Sequence, residues 1–149
     1  MFDKIKSLFS GSAEAADEND IDAQTAAAAL MVETALADGV YAKIEERRIR
    51  EALAAAFGLD DAGARAVLDR AEPLAEHAVD HHRFTHAVKS LPKETRVALV
   101  EQLFAVAFAD GENDAHEDSL IRRLGPLLAV SDRERAEARS RARERAGLA

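Results

Sequence analysis

Apolar side chains recur every three or four positions along most of this chain and nowhere alternate one by one, so the pattern specifies α-helices and no half-buried strand. The first stretch, Met1 to Phe9, places Phe2, Ile5, Leu8 and Phe9 on one helical face with Lys4 and Lys6 between them. Ser10 to Gln24 is small and acidic and reads as a linker whose last residues begin the next helix. Ala26 to Ala37 is strongly helical and stops at Asp38-Gly39, because glycine supplies the left-handed conformation that ends a helix. A second helix spans Lys43 to Phe57, with Ile44, Ile49, Leu53 and Phe57 facing inward, and Gly58 closes it. Asp60 or Asp61 caps a third, which carries Val67 and Leu68 and meets Pro73. That proline either kinks the helix or opens a new first turn.

Asp80 has the position of an N-cap for a short helix from His81 to Lys89. Ser90 and Pro92 then form a start signature, with serine capping and proline in the first turn. The helix they open contains Val97, Val100, Leu103, Phe104 and Phe108 and ends at Asp110-Gly111. Asp114 and Glu117 have capping-box spacing and open a helix to about Leu128, and Ser131 with Glu134 repeats that signature for a final helix. Its apolar residues are mostly alanine, so it should be peripheral and frayed, its arginines and glutamates forming a salt-bridged solvated face. The chain therefore reads as all-α, a single compact domain of about six to seven helices over residues 21–149. Residues 1–20 form a short amphipathic segment and an acidic linker ahead of it.

Within the domain one pattern occurs twice. Ala37-Asp38-Gly39 is followed by Glu45, and Ala109-Asp110-Gly111 by Glu117; both acids of the second copy lie 72 residues after those of the first. Ile49 and Arg50 match Ile121 and Arg122 at the same offset. An internal pseudo-twofold repeat follows, with halves around residues 25–80 and 81–147.

Composition narrows what such a domain does. Across 149 residues, 20 Lys and Arg face 28 Asp and Glu, a net charge of −8, opposite in sign to the bias that phosphate neutralisation requires. Nucleic acid is thus disfavoured as a partner. The 48% hydrophobic content suffices for one core, and its abundant alanine lets helix axes approach closely. The absence of cysteine excludes disulfides, thiolate metal sites and a cysteine nucleophile. No apolar run approaches the ~20 residues of a membrane span, and the N-terminus lacks the sustained apolar core of a secretory signal. The expected location is cytoplasmic, with at most peripheral contact at the inner membrane face.

The duplicated corners and their flanks resemble the TerB family, named for tellurite-resistance proteins. The likeness is carried by Leu30 to Leu53 and by Val97 to Leu124, each with apolar positions, Ala-Asp-Gly, a short loop and a Glu opening a helix. Leu91-Pro92-Lys93-Glu94-Thr95-Arg96, ahead of the second copy, is similar to the family as well, and the resemblance spans residues 25 to 135. It implies a compact helical domain with pseudo-twofold symmetry, a divalent-metal site built from the repeated acids, and a role in stress response or membrane-linked assemblies. A related domain sits at the front of a membrane-anchored DnaJ-type co-chaperone; this chain has no His-Pro-Asp motif, so recruitment by a J-domain is closed to it.

Hard cations such as Ca²⁺, Mg²⁺ and Mn²⁺ take several converging oxygen ligands, and suit these acids better than Zn²⁺ does. The second corner offers Asp110, Glu112, Asp114 and Glu117, with Asn113 as an extra carbonyl. The first offers Asp38 and Glu45, with Val40 and Ala42 in the places of Glu112 and Asp114, so the second should bind more strongly. Two separate sites, or one shared by Asp38 and Asp110 across the dyad, both satisfy the spacing. It is not that of an EF-hand loop. A purely structural reading competes, because Asp-Gly ends helices and Glu in a first turn is favoured by the helix dipole and by capping. That reading leaves Glu112 without a task.

Other candidates carry less. His77 and His81, and His82 and His86, have the one-turn spacing of two-histidine zinc sites, but nothing in sequence completes them; His116 lies beside Glu117. A Gly-rich phosphate loop and a Gly-x-Ser-x-Gly elbow are both missing, so the chain is not expected to be an enzyme. The expected function is a non-catalytic module that binds a divalent cation through its acidic corners, in a tellurite-type stress response. The alternative is a metal-free protein-interaction or membrane-associated scaffold that docks through Phe2, Ile5, Leu8 and Phe9, with homo-oligomerisation left open.

Overall fold

The computed structural model describes residues 22–37, 43–77, 82–109 and 115–148, the side chains at 43–45 and 115–119 excepted. Within them the backbone forms seven helices and no strand. Asp22 starts the first: its carboxylate accepts from the Thr25 backbone N–H at 2.8 Å and from the Thr25 hydroxyl at 2.9 Å. Helix α1 (Ala23–Ala37) thus takes in the last residues of the acidic stretch before Thr25, as expected from the sequence. It has almost no polar face, and every residue from Thr25 to Val32 is buried, as are Thr34 and Ala35. A helix apolar all round must be covered on all sides. The following helices supply that cover.

Helix α2 (Lys43–Phe57) ends where Gly58 turns to φ +68°, and the Leu59 N–H reaches back to the Ala54 carbonyl at 2.9 Å, closing a Schellman motif. Asp60 then caps α3 (Asp61–Glu76) by accepting from the Gly63 N–H at 2.8 Å. Pro73 neither breaks nor restarts this helix: it lies on the exposed side near the C-terminal end, and its carbonyl still accepts from the His77 N–H. A short helix, α4 (His82–Val88), follows and turns Phe84 and Val88 inward. Ser90 does not cap the next helix as its position suggested. Its hydroxyl donates to the Ala87 carbonyl at 2.8 Å, closing α4, and the Pro92 carbonyl takes the first helical N–H groups, from Thr95 and Arg96.

Helix α5 (Lys93–Ala109) is the second central helix, with Leu99 through Val100, Leu103, Phe104 and Phe108 in the core. Helices α6 (Ala115–Leu127) and α7 (Asp132–Arg145) complete the second half, and α7 opens on the expected capping box of Ser131 and Glu134. The two halves repeat in their contacts as well as their order. α1 lies on α3 as α5 lies on α7, and α2 crosses α5 as α6 crosses α1. Leu30, Met31, Ile49, Leu53, Leu68, Leu99, Leu124 and Leu128 meet in one fully buried core. Arg96 ties the joints together: Nη1 donates to the carbonyls of Leu128 and Ala129 (3.2 and 3.1 Å), and Nε to that of Leu91 (3.1 Å).

α7 is peripheral as expected, with only Ala138 and Ala142 buried, but it is fastened to α5 rather than loose. Ala138 and Ala142 are fully buried against α5, small enough to bring the two axes close. Arg139 lies over the rings of Phe104 and Phe108 (6.0 and 5.5 Å to their centroids), and Arg143 over Phe108 at 5.9 Å. The outer face keeps surface pairs, Arg133 with Glu137 and Arg135 with Asp132, as anticipated.

The α6 terminus repeats the Schellman closure of α2, with the Val130 N–H on the Gly125 carbonyl at 2.8 Å, but Ala129 occupies the left-handed position at φ 58°. An L-residue pays about 1 kcal/mol there relative to glycine. Ala129→Gly should therefore raise stability by roughly 0.5–1 kcal/mol, read from urea midpoints at constant m-value. A second prediction concerns acid. The Lys93 ammonium and the Ser131 backbone N–H hold the Glu134 carboxyl down at about 2, against an ordinary 4.5. Its folded value is depressed, so its contribution is complete above pH 4.5 and is lost as pH falls through 2. Glu134→Gln should flatten the fall of stability across that window and leave the neutral-pH slope unchanged.

Candidate functional site

Both acidic corners fall at equivalent joints of the two halves. α1 ends at Ala37 and α5 at Ala109, each one residue before its Asp; α2 opens at Lys43 and α6 at Ala115, so Glu45 and Glu117 are each the third residue of the following helix. The 72-residue offset of the motif is thus also the offset of the helix ends that carry it. Asp38, Asp110, Glu112 and Asp114, and the side chains of Glu45 and Glu117, lie outside the described residues. So do Phe2, Ile5, Leu8 and Phe9 of the proposed docking segment.

The described surroundings of the first corner are partly apolar. The last turn of α1 emerges from the core at Leu36 and Ala37. Glu33, Thr34 and Ala37 border an open cleft of about 340 Å³ with Arg123, Pro126 and Leu127 from the C-terminal end of α6. One turn beyond Glu45, Arg48 is buried at 8% exposure. Sequence reasoning passed over this cation, since an arginine on an amphipathic helix ordinarily faces water.

A polar cluster around a buried carboxylate was not foreseen either. Glu101, in the middle of α5, is 6% exposed and receives Arg141 Nε at 2.8 Å, with Arg145 as a second partner from α7. A buried carboxylate needs such compensation, and two half-exposed arginines provide it. The only sequence signal was a Glu on the apolar stripe of α5 facing a helix with arginines four residues apart. Beside it, Lys93, Glu94, Val97, Ala98, Glu134 and Glu137 line a cleft of about 320 Å³ with Glu101 and Arg141. Lys93 Nζ binds Glu134 at 2.8 Å across its end. Lys93 and Glu134 neutralise each other, as do Arg141 and Glu101, and a carboxyl held at about 2 keeps its charge through the physiological range, so it is no proton donor there. The cluster fastens α7 to α5.

The described histidines do not converge, and His81 and the His116 side chain lie outside the described residues. His82 and His86 are exposed one turn apart on α4, and the exposed His77 ring lies at 3.0 Å from the Pro73 carbonyl. Among the described residues no three acidic or histidine side chains come together as a metal site, and no helix is long and apolar enough to cross a membrane.

Comparison with known proteins gives one match. The family described as "Tellurite resistance protein TerB" fits residues 24–140, from the start of α1 to within α7, and therefore both corners and both halves of the repeat. No curated protein and no solved structure matches. With its duplicated acidic joints in register and most of its length matched, the chain belongs to the TerB family.

Proposed function

We propose that this TerB-family chain is a non-catalytic module that binds a divalent cation at its acidic helix joints, in a tellurite-type stress response. The observation that carries the reading is the coincidence of acids and helix ends. Each joint places an Asp directly after a buried central helix and a Glu in the first turn of the next. Carboxylates fixed to two rigid helices on either side of a short loop are a suitable frame for a hard, oxygen-seeking ion. The second joint, with Asp110, Glu112, Asp114 and Glu117, has the donor number such an ion wants; the first, with Asp38 and Glu45, needs more water.

Two sites fit the fold better than one. The end of α1 borders the C-terminal half of α6, whereas the second joint precedes the start of α6. Eight to twelve residues of helix separate these points, roughly 12–18 Å. The protein would then act through the loaded joints or the surface they stiffen, with protein partners and a cytoplasmic setting as part of the same proposal.

Thermal unfolding of chelator-stripped protein with Ca²⁺, Mg²⁺, Mn²⁺ or Zn²⁺ tests this. A cation at 100 times its dissociation constant stabilises the native state by ~2.7 kcal/mol, roughly 5–10 °C for a chain of this size. The shift should saturate with Ca²⁺, Mg²⁺ or Mn²⁺, vanish in Asp110→Asn, and survive in Asp38→Asn. An Asp110→Asn chain that unfolds without cation being involved would make the joint structural. No shift with any ion would remove the proposal.

A further inference from the structure

The two halves differ at one place that the repeat makes visible. Leu36 in the last turn of α1 corresponds to Phe108 in the last turn of α5, 72 residues later. Phe108 is 6% exposed, stacked on Phe104 and covered by the guanidinium groups of Arg139 and Arg143. Leu36 is 37% exposed, and its neighbour Ala37 opens onto the cleft with Pro126 and Leu127. Among the described residues the only other large hydrophobic side chain so exposed is Leu148, at the far end of the chain. Among the described residues, the end of one central helix is roofed and the equivalent end of the other is not.

We propose that residues 1–9 of this same chain form that roof, docking as an amphipathic helix in the α1–α6 cleft. Phe2, Ile5, Leu8 and Phe9 share one face and match the apolar lining of Ala37, Pro126 and Leu127, with exposed Leu36 beside it. Lys4 and Lys6 bring positive charge to a chain of net charge −8 and to Glu33 of the cleft, whose other charged residue is Arg123. The distances allow it. From Asp22 to Ala37 the first helix is roughly 22 Å long, and the twelve residues from Ser10 to Ile21 extend to roughly 40 Å. The four acids of that stretch (Glu14, Asp17, Glu18 and Asp20) keep it off an acidic body, so it acts as a tether. A tether of this length holds its end at millimolar effective concentration, so a small apolar face suffices for docking where it would bind a bilayer only weakly.

The absence of cysteine makes the test direct. Ser7→Cys lies opposite the apolar face and accepts a nitroxide label in the full chain. Amide signals of Leu36, Ala37 and Leu127 should lose intensity, recover when the label is reduced, and stay sharp when Leu8→Asp is added. Broadening that is absent, that centres on the Lys93–Glu137 cleft, or that arises only between labelled and unlabelled copies overturns the proposal. So does a label that leaves the body untouched and inserts into anionic vesicles. None of these readouts depends on a bound cation.

Discussion

Two helices in this protein are buried over most of their length, and the remaining architecture follows from covering them. α1 presents alanine on nearly every side, with Leu30, Met31 and Val32 as its larger contacts; α5 presents Leu, Val and Phe. Burying a helix all round requires several neighbours: α1 is packed by α2, α3 and α4 of its own half and by α6 of the other, and α5 by α6 and α7 of its own half and by α2 of the other. The exchange of α2 and α6 between halves is what makes a duplicated unit into one domain. It also fixes where the acidic joints lie, because each joint is the turn by which a buried helix hands over to the helix that crosses to the other half.

The second half is locked more firmly than its sequence suggests. Glu101 would be costly inside α5 were it not gripped by Arg141 and Arg145, and the same helix places Arg139 over Phe104 and Phe108 and Arg143 over Phe108. Because both arginines paired with Glu101 are half exposed, much of their attraction is screened by water. Their value lies in satisfying the buried carboxylate. Arg96, bonded to the adjacent carbonyls of Leu128 and Ala129 within the α6–α7 turn, adds a further tie at the opposite end.

Helix number, order and most boundaries were legible because local chemistry marks them: Gly58 in the left-handed region, Asp60 on Gly63, Ser131 with Glu134. The duplicated joints were legible because a repeat tests itself. What failed was tertiary. Ser90 looked like a cap for the helix after it, but the fixed ring of Pro92 lets the proline carbonyl take that place, and the hydroxyl turned to Ala87. The last helix looked solvated because its pattern of charge has no apolar stripe; only the facing aromatic rings and Glu101 give its arginines an inward task. Arg48 was missed because an arginine on an amphipathic helix ordinarily faces water. Of the candidate site, the sequence supplied the acids, and the fold adds the equivalence of the helix ends that hold them.

The central claim, that the acidic joints bind a divalent cation, is tested most directly by adding substoichiometric Mn²⁺ to the isotopically labelled full chain and recording amide signals. Paramagnetic broadening should appear first at Phe108 and Ala109 and in the opening turn of α6, then at higher Mn²⁺ at Ala37 and the opening turn of α2, and excess Mg²⁺ or Ca²⁺ should reverse it. Broadening confined to His82 and His86, or spread evenly over the acidic surface, would contradict the account.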